Sequence, residues 1–416
     1  MKRTTALILA LAMALSLAGC AKDDPTGQQT DWMENLSARA VDAHPDTAAG
    51  AQTMTEFGVR LAKNSFENGE NLLLSPLSVL CALAMTANGA KEQTLEQMEE
   101  VFGLPIEELN SYLRWYTSSL PQGENYKLCL ANSIWFTEDS RFTPNQEFLQ
   151  INADYYGADI YSAPFDDSTL RAINDWIEEK TDGMIKDALD AIPPAAVMYL
   201  INALSFDARW STVYQEHEVR DGTFTAEDGT EQSVDMMHST EYQYLSDDFA
   251  TGFVKPYQGR SYAFAALLPR EGVSMEEYLR SLTGEKLRAL LDNAQNTPVV
   301  AAIPKFETEY SVDMAQILSG MGMTDAFDPE NADFSALGTS SAGNIFISRV
   351  IHKTFISVSE QGTKAGAVTI VEAADSAAME PDKRQEVILD RPFVYLLIDC
   401  ESGVPFFIGV MMDPAQ

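Results

Sequence analysis

Thr363, Ala365, Ala367, Thr369, Val371 and Ala373 alternate along one stretch near the C-terminus, and nothing on that face is charged or larger than valine. The positions between them, Lys364, Gly366, Val368, Ile370, Glu372 and Ala374, carry both charges of the stretch. A period of two sends alternate side chains to opposite sides of a sheet, so 363–374 fits a strand with its small face in a core and its charges in water. The stretch is headed by Gly362 and runs into DSAAMEPDKRQ at 375–385, a polar, proline-containing segment that reads as exposed and cleavable. A stretch fit to be a central strand but set beside an exposed, cleavable segment suggests a switch; the plain alternative is an ordinary β-strand with a glycine at its start.

Catalytic chemistry finds no such footing. HExxH, GxSxG, SxxK, the Walker phosphate loop and CxxC are all missing. The four histidines, His44, His217, His238 and His352, do not stand at metal-ligand spacing from one another, so the reading is of no metal, no cofactor and no enzyme. Cys81, Cys129 and Cys400 each sit in an apolar stretch and are expected to be buried small hydrophobes without a disulfide framework.

The elements that must position the switch follow from periodicity. Helical spacing runs through 54–66, 77–102, 171–182 and 312–321, and apolar strands bounded by turns occupy 197–206, 261–269, 345–359 and 393–411. With 416 residues, 45% of them hydrophobic, the chain can bury one large core or two ordinary ones. The balance of 28 Lys and Arg against 62 Asp and Glu gives a formal charge of −34, spread along the chain, which argues against nucleic acid and against attraction to anionic lipid heads.

Six segments in order carry a family resemblance. They are NLLLSPLSVLCALAMTANGAKEQTLEQM at 71–98, INDWIEEKTDGMI at 173–185, VMYLINALSFDARW at 197–210, IPKFETEYSVDMAQILSGMGMTDAF at 303–327, EQGTKAGAVT from Glu360, and DRPFVYLLID with GVPFFIGVMMDP near the end. Together they resemble the serpins, the serine protease inhibitors, over about 54–414. The resemblance implies an α+β domain with three β-sheets, about nine helices and an exposed reactive loop. It implies a suicide-substrate inhibitor, joined to its serine protease as an acyl-enzyme while 363–374 enters the main sheet; the alternative is a non-inhibitory serpin-fold binding protein. It also implies roles by position: a hinge at Glu360, Gly362, Thr363, Ala365 and Ala367; a polar shutter under the sheet from Ser75, Ser78, Asn202 and His352; and, at the top of the sheet, a Lys305–Glu360 salt bridge with Trp210. The usual inhibitor spacing from Glu360 sets the reactive bond between Ser376 and Ala377, with Ala378 or Met379 as alternatives because the loop is several residues longer than in many inhibitors. Small residues there suit an elastase-like or subtilisin-like protease, whereas Lys383 and Arg384 lie too far along for a trypsin-like cut. Lys364, Gly366 and Val368 depart from the usual inhibitor pattern, all on the outward face, and are expected to slow insertion at most.

The N-terminus predicts location. MKRTTALILALAMALSLAGC has Lys2 and Arg3, an apolar run too short to span a membrane comfortably, and then small residues. Leu17, Ala18, Gly19 and Cys20 resemble the lipobox of bacterial lipoproteins. The expectation is a signal peptide over 1–19, a lipidated Cys20 with a flexible tether to residue 50, and one serpin domain over 51–416. The protein would be a monomer held by its lipid on the extracellular face of a bacterial membrane, with release as the alternative.

Overall fold

The computed structural model describes residues 29–415 except 125, 139–141, 187–188, 193–196, 342 and 364–383. These residues form nine α-helices and three β-sheets of seven, nine and two strands. One large apolar core joins the two big sheets and the helices around them, and a smaller one lies on the opposite face of the seven-stranded sheet.

At the centre of the seven-stranded sheet runs Met198–Arg209, buried along almost its whole length. Met198, Leu200, Leu204, Phe206 and Ala208 face the large core, while Tyr199, Ile201 and Ala203 face the smaller one with Ile173, Trp176 and Ile177 of the helix Asp167–Lys180. Two covered faces explain why its sequence is apolar without alternation. On one side it pairs antiparallel with Tyr126–Thr137. On the other it pairs parallel with Arg349–Val358, whose far edge is covered by Phe306–Asp313.

Four expectations are corrected. The helix expected over 77–102 is two helices, Pro76–Ala87 and Glu92–Phe102. They part around Gly89, where a Cβ would come within 2.5 Å of the Cβ of Leu337, so only glycine allows that close approach. The strand expected over 393–411 is a hairpin, Phe393–Asp399 and Pro405–Met411. Cys400 opens its turn and is exposed, unlike buried Cys81 and half-buried Cys129; all three are free thiols.

The flexible tether expected up to residue 50 is corrected over its second half. Thr30 and Asp31 add a short strand to the edge strand Asp159–Ala163, and the Trp32 ring lies 5.3 Å from Phe136 and 5.4 Å from Phe142. Arg39 clasps the buried Asp154 carboxylate through its backbone N–H at 2.7 Å and its Nε at 2.8 Å. Burial alone would raise the Asp154 pKa, but the Arg39 bonds outweigh it and hold the carboxyl below its ordinary range. Asp46 then caps the first helix, Thr47–Ser65, by accepting from the backbone of Ala48 and Ala49. Among the described residues no helix is long and apolar enough to cross a membrane.

Candidate functional site: a sheet open at its top and closed in its middle

The parallel seam between Met198–Arg209 and Arg349–Val358 runs from the pair Tyr199 and Arg349 to the pair Leu204 and Thr354. Above it the two strands part, and Gly362 and Thr363 lie between them. Thr363 pairs antiparallel with Ala208 on one side and with Val358 on the other. The chain reaches that position through a tight hairpin in which the Ser359 N–H donates to Gly362 O at 2.9 Å and the Gly362 N–H to Ser359 O at 3.3 Å. Gly362 has φ +153°, and a Cβ there would come within 2.0 Å of the Ala208 carbonyl oxygen. Any side chain at this position would therefore force the hairpin out of the seam.

The hairpin is gripped by the end of the central strand. The Trp210 N–H donates to Gln361 O at 3.0 Å, its indole Nε1–H to Ser359 O at 2.8 Å, and the Tyr214 N–H to Glu360 O at 3.0 Å. Arg209 Nη2 adds a bond of 3.1 Å to Gln361 Oε1. Lys305 Nζ stands 2.9 Å from Glu360 Oε1 and 3.6 Å from Asp235 Oδ2. The Glu360 bond raises the Lys305 pKa, and Lys305 in turn outweighs burial to lower that of Glu360. Thr363 is buried, and its hydroxyl meets that of Tyr257, which stacks on Trp210 with ring centres 4.5 Å apart.

The middle of the seam is closed by neutral polar groups. His352 and Asn202 are opposite one another, with His352 Nδ1 2.6 Å from Asn202 Oδ1. That oxygen also accepts from Ser78 Oγ at 2.6 Å. On the other side of the ring the Ser75 N–H donates to His352 Nε2 at 3.1 Å. Since Nε2 accepts, the proton is on Nδ1 and the ring is neutral. Burial lowers the His352 pKa to about 3, which keeps it so. Ser75 also caps the helix Pro76–Ala87 by accepting from the Ser78 N–H at 3.2 Å, and Pro76 at the first helical position needs no acceptor. Thr354 Oγ1 donates to Leu73 O at 2.8 Å, while the Asn202 amide nitrogen is buried without a partner.

Of the residues singled out in the sequence, the fold thus gathers Glu360, Gly362, Thr363, Lys305 and Trp210 at the top of the seam and Ser75, Ser78, Asn202 and His352 in its middle. Ala365, Ala367, Ser376, Ala377, Ala378, Met379 and Cys20 lie outside the described residues. His44 and His217 are exposed and His238 half-buried. Sequence reasoning missed Arg209, Tyr214, Tyr257, Ser359 and Gln361, which complete the grip on the hairpin. It also missed Lys255, although a charge inside the apolar run FVKPY was a legible signal.

Comparison with known proteins agrees with this architecture. The family model described as "Serpin (serine protease inhibitor)" matches residues 52–414. An uncharacterized serpin-like protein of Thermococcus kodakarensis is 33% identical over 369 residues, 87% of this chain and 85% of its own. The crystal structure of tengpin, a thermophilic serpin, in its native state is 48% identical and superimposes with a TM-score of 0.89, covering 93% of this chain and 100% of that one. Tengpin in its latent state covers 90% of this chain and 99% of its own at 45% identity, with a lower TM-score of 0.78. From the seam, the hairpin wedged into it and these matches together, the chain is a member of the serpin family.

Proposed function

We propose that this serpin is a suicide-substrate inhibitor of extracellular serine proteases with elastase-like or subtilisin-like pockets. The observation that carries the reading is the seating of Thr363 between Ala208 and Val358, one residue already antiparallel to both neighbours. On this reading, a strand continued in the same register on insertion would bring Ala365 between Phe206 and Ile356, Ala367 between Leu204 and Thr354, Thr369 between Asn202 and His352, and Val371 between Leu200 and Val350. The small face of 363–373 thereby meets the large core, and the Thr369 hydroxyl arrives where the Asn202 amide nitrogen lacks a partner.

In this mechanism the protease serine attacks the carbonyl of the reactive bond, between Ser376 and Ala377 or one of the next two residues, and remains joined to the new C-terminus as an ester. The freed strand separates Asn202 from His352 and fills the gap, bonding on both sides. About 15 residues at ~3.3 Å each carry the protease ~50 Å. Roughly ten new ladder hydrogen bonds at ~1 kcal/mol each, with apolar burial, drive the step. Misplacing a catalytic group by ~1 Å slows deacylation about 100-fold, so hydrolysis stalls with the enzyme trapped. The shutter supplies polar groups that change partners as the strand enters, since a buried group left unpaired costs ~1–3 kcal/mol.

We further propose that Cys20 carries lipid and holds a monomeric inhibitor at the extracellular face of a bacterial membrane. Because residues 30–39 pack on the domain, the tether is the shorter stretch before them, and the protease would be met close to the lipid surface. The test is to mix the chain from residue 21 onward with pancreatic elastase and with subtilisin and to examine a denaturing gel. A band at the combined mass, with the scissile bond fixed by mass spectrometry of the released peptide, supports the reading. Clean cleavage without a complex or a gain in thermal stability contradicts it and leaves a serpin-fold binding protein.

A further inference from the structure

Lys255 is a charge inside an apolar strand, and its surroundings are unusual. Its Nζ lies 2.8 Å from Glu241 Oε1, and the two side chains are only 3% and 9% exposed. The same ammonium sits 4.3 Å from the centre of the Tyr214 ring and 5.4 Å from that of Trp210. Glu241 also accepts from Ser239 Oγ at 2.7 Å, and that hydroxyl is 3.4 Å from the Tyr214 hydroxyl. Burial opposes the charge on Lys255, but Tyr214 and Glu241 outweigh it and raise the pKa.

A buried ion pair adds little net stability, and apolar residues of similar volume usually replace it without loss. Fold stability therefore does not account for this one. What a cation over two ring faces does is fix those rings relative to each other. Tyr214, Lys255 and Glu241 form part of the floor of a surface cleft of about 490 Å³ while being almost fully buried themselves. The two rings so fixed are those whose backbones bind Glu360 and Gln361 and whose indole binds Ser359, and Trp210 in turn backs Tyr257, the partner of Thr363.

We infer that Lys255, paired with Glu241, is a positioning residue for strand insertion. It holds Trp210 and Tyr214 at the depth from which they keep the 359–362 hairpin and Thr363 seated in the seam, so that cleavage finds the first step of insertion already taken. The inference rests on the inhibitory reading for its consequence, faster trapping, but the seating itself can be measured without a protease.

The test uses the full chain with Lys255→Met/Glu241→Gln, which removes both charges and strands neither, and with Tyr214→Leu, which removes one ring and keeps the pair. Hydrogen exchange is followed at the Thr363 amide and the Trp210 indole N–H, beside the thermal midpoint. The inference expects exchange at those two sites to rise about 30-fold, the worth of one desolvated cation–π contact, with a midpoint close to wild type. It also expects more inhibitor to be cleaved per protease trapped, because an unseated hinge inserts late. General loosening of the native state would do the opposite and hasten insertion. Unchanged exchange at both sites in both variants overturns the inference, as does a rise spread evenly over the sheet with a falling midpoint. If wild type traps no protease while the local exchange responds, the inhibitory reading falls and the positioning role stands.

Discussion

The two ends of one seam are built from different chemistry. At the top, strands 198–209 and 349–358 are already parted, and the wedge is held by half-exposed charges, aromatic stacking and bonds to the hairpin backbone. In the middle the same strands are closed, and the closure is a fully buried, neutral relay from Ser75 through His352 to Asn202 and Ser78. Half-exposed charges tolerate movement because water screens them. A buried neutral relay does not, since each group must exchange one partner for another. The top thus suits a wedge that can shift, and on the proposed mechanism the middle opens once, when the strand enters.

The largest effect should come from blocking the wedge. Thr363→Arg brings a charge to a buried position, and Gly362→Val drives a side chain into Ala208 O; each should cut the yield of covalent complex on the order of 100-fold while cleavage continues. The gel assay reads this directly. If either variant still traps protease as wild type does, the wedge is not the start of insertion.

Breaking the middle should act on native stability. His352→Leu leaves the Ser75 N–H without its acceptor and removes one of the two donors to Asn202 Oδ1, an expected loss of about 2–3 kcal/mol seen as a lower denaturant midpoint. The pH dependence has a definite sign. Because the folded pKa of His352 is depressed to about 3 from an unfolded value near 6.5, the unfolded state takes up the proton first as pH falls. Stability is thus full above pH ~6.5 and falls by up to ~1.4 kcal/mol per unit below it, about 2 kcal/mol by pH 5. His238, whose pKa burial and Arg220 also lower, adds a smaller slope of the same sign. Subtracting the profile of His352→Leu from that of wild type isolates the shutter, and a flat difference between pH 5 and 7 would sink the assignment.

The smallest effect is expected at Lys305. Lys305→Met removes a half-exposed pair with Glu360, and its contribution to unfolding should stay under ~1 kcal/mol and shrink in salt. A loss as large as that of His352→Leu would mean that the top is no looser than the middle.

Sequence revealed the polar residues of both ends but not all that holds them. Ser75, Ser78, Asn202 and His352 were legible only through the serpin resemblance of the segments that hold them, since a serine, an asparagine or a histidine in an apolar run does not by itself name its partner, whereas Met198–Arg209 was legible because a strand covered on both faces has no polar side. Tyr214 and Tyr257 gave no such signal, as an aromatic in an apolar run reads as core wherever it sits. The break at Gly89 and the docking of Trp32 were hidden for another reason. Each depends on a distant partner, Leu337 in one case and Phe136 with Phe142 in the other, which local periodicity does not name.

The most direct measurement is the thermal midpoint of the protein before and after a single cut within 364–383. If Thr363 is the seated start of a strand, the cut chain should zip into the seam, and about ten new hydrogen bonds should raise the midpoint by roughly 20 °C or more. A midpoint that stays put or falls on cleavage would contradict the account, because the seam would then be a fixed feature of the sheet and the wedge at its top an ordinary turn.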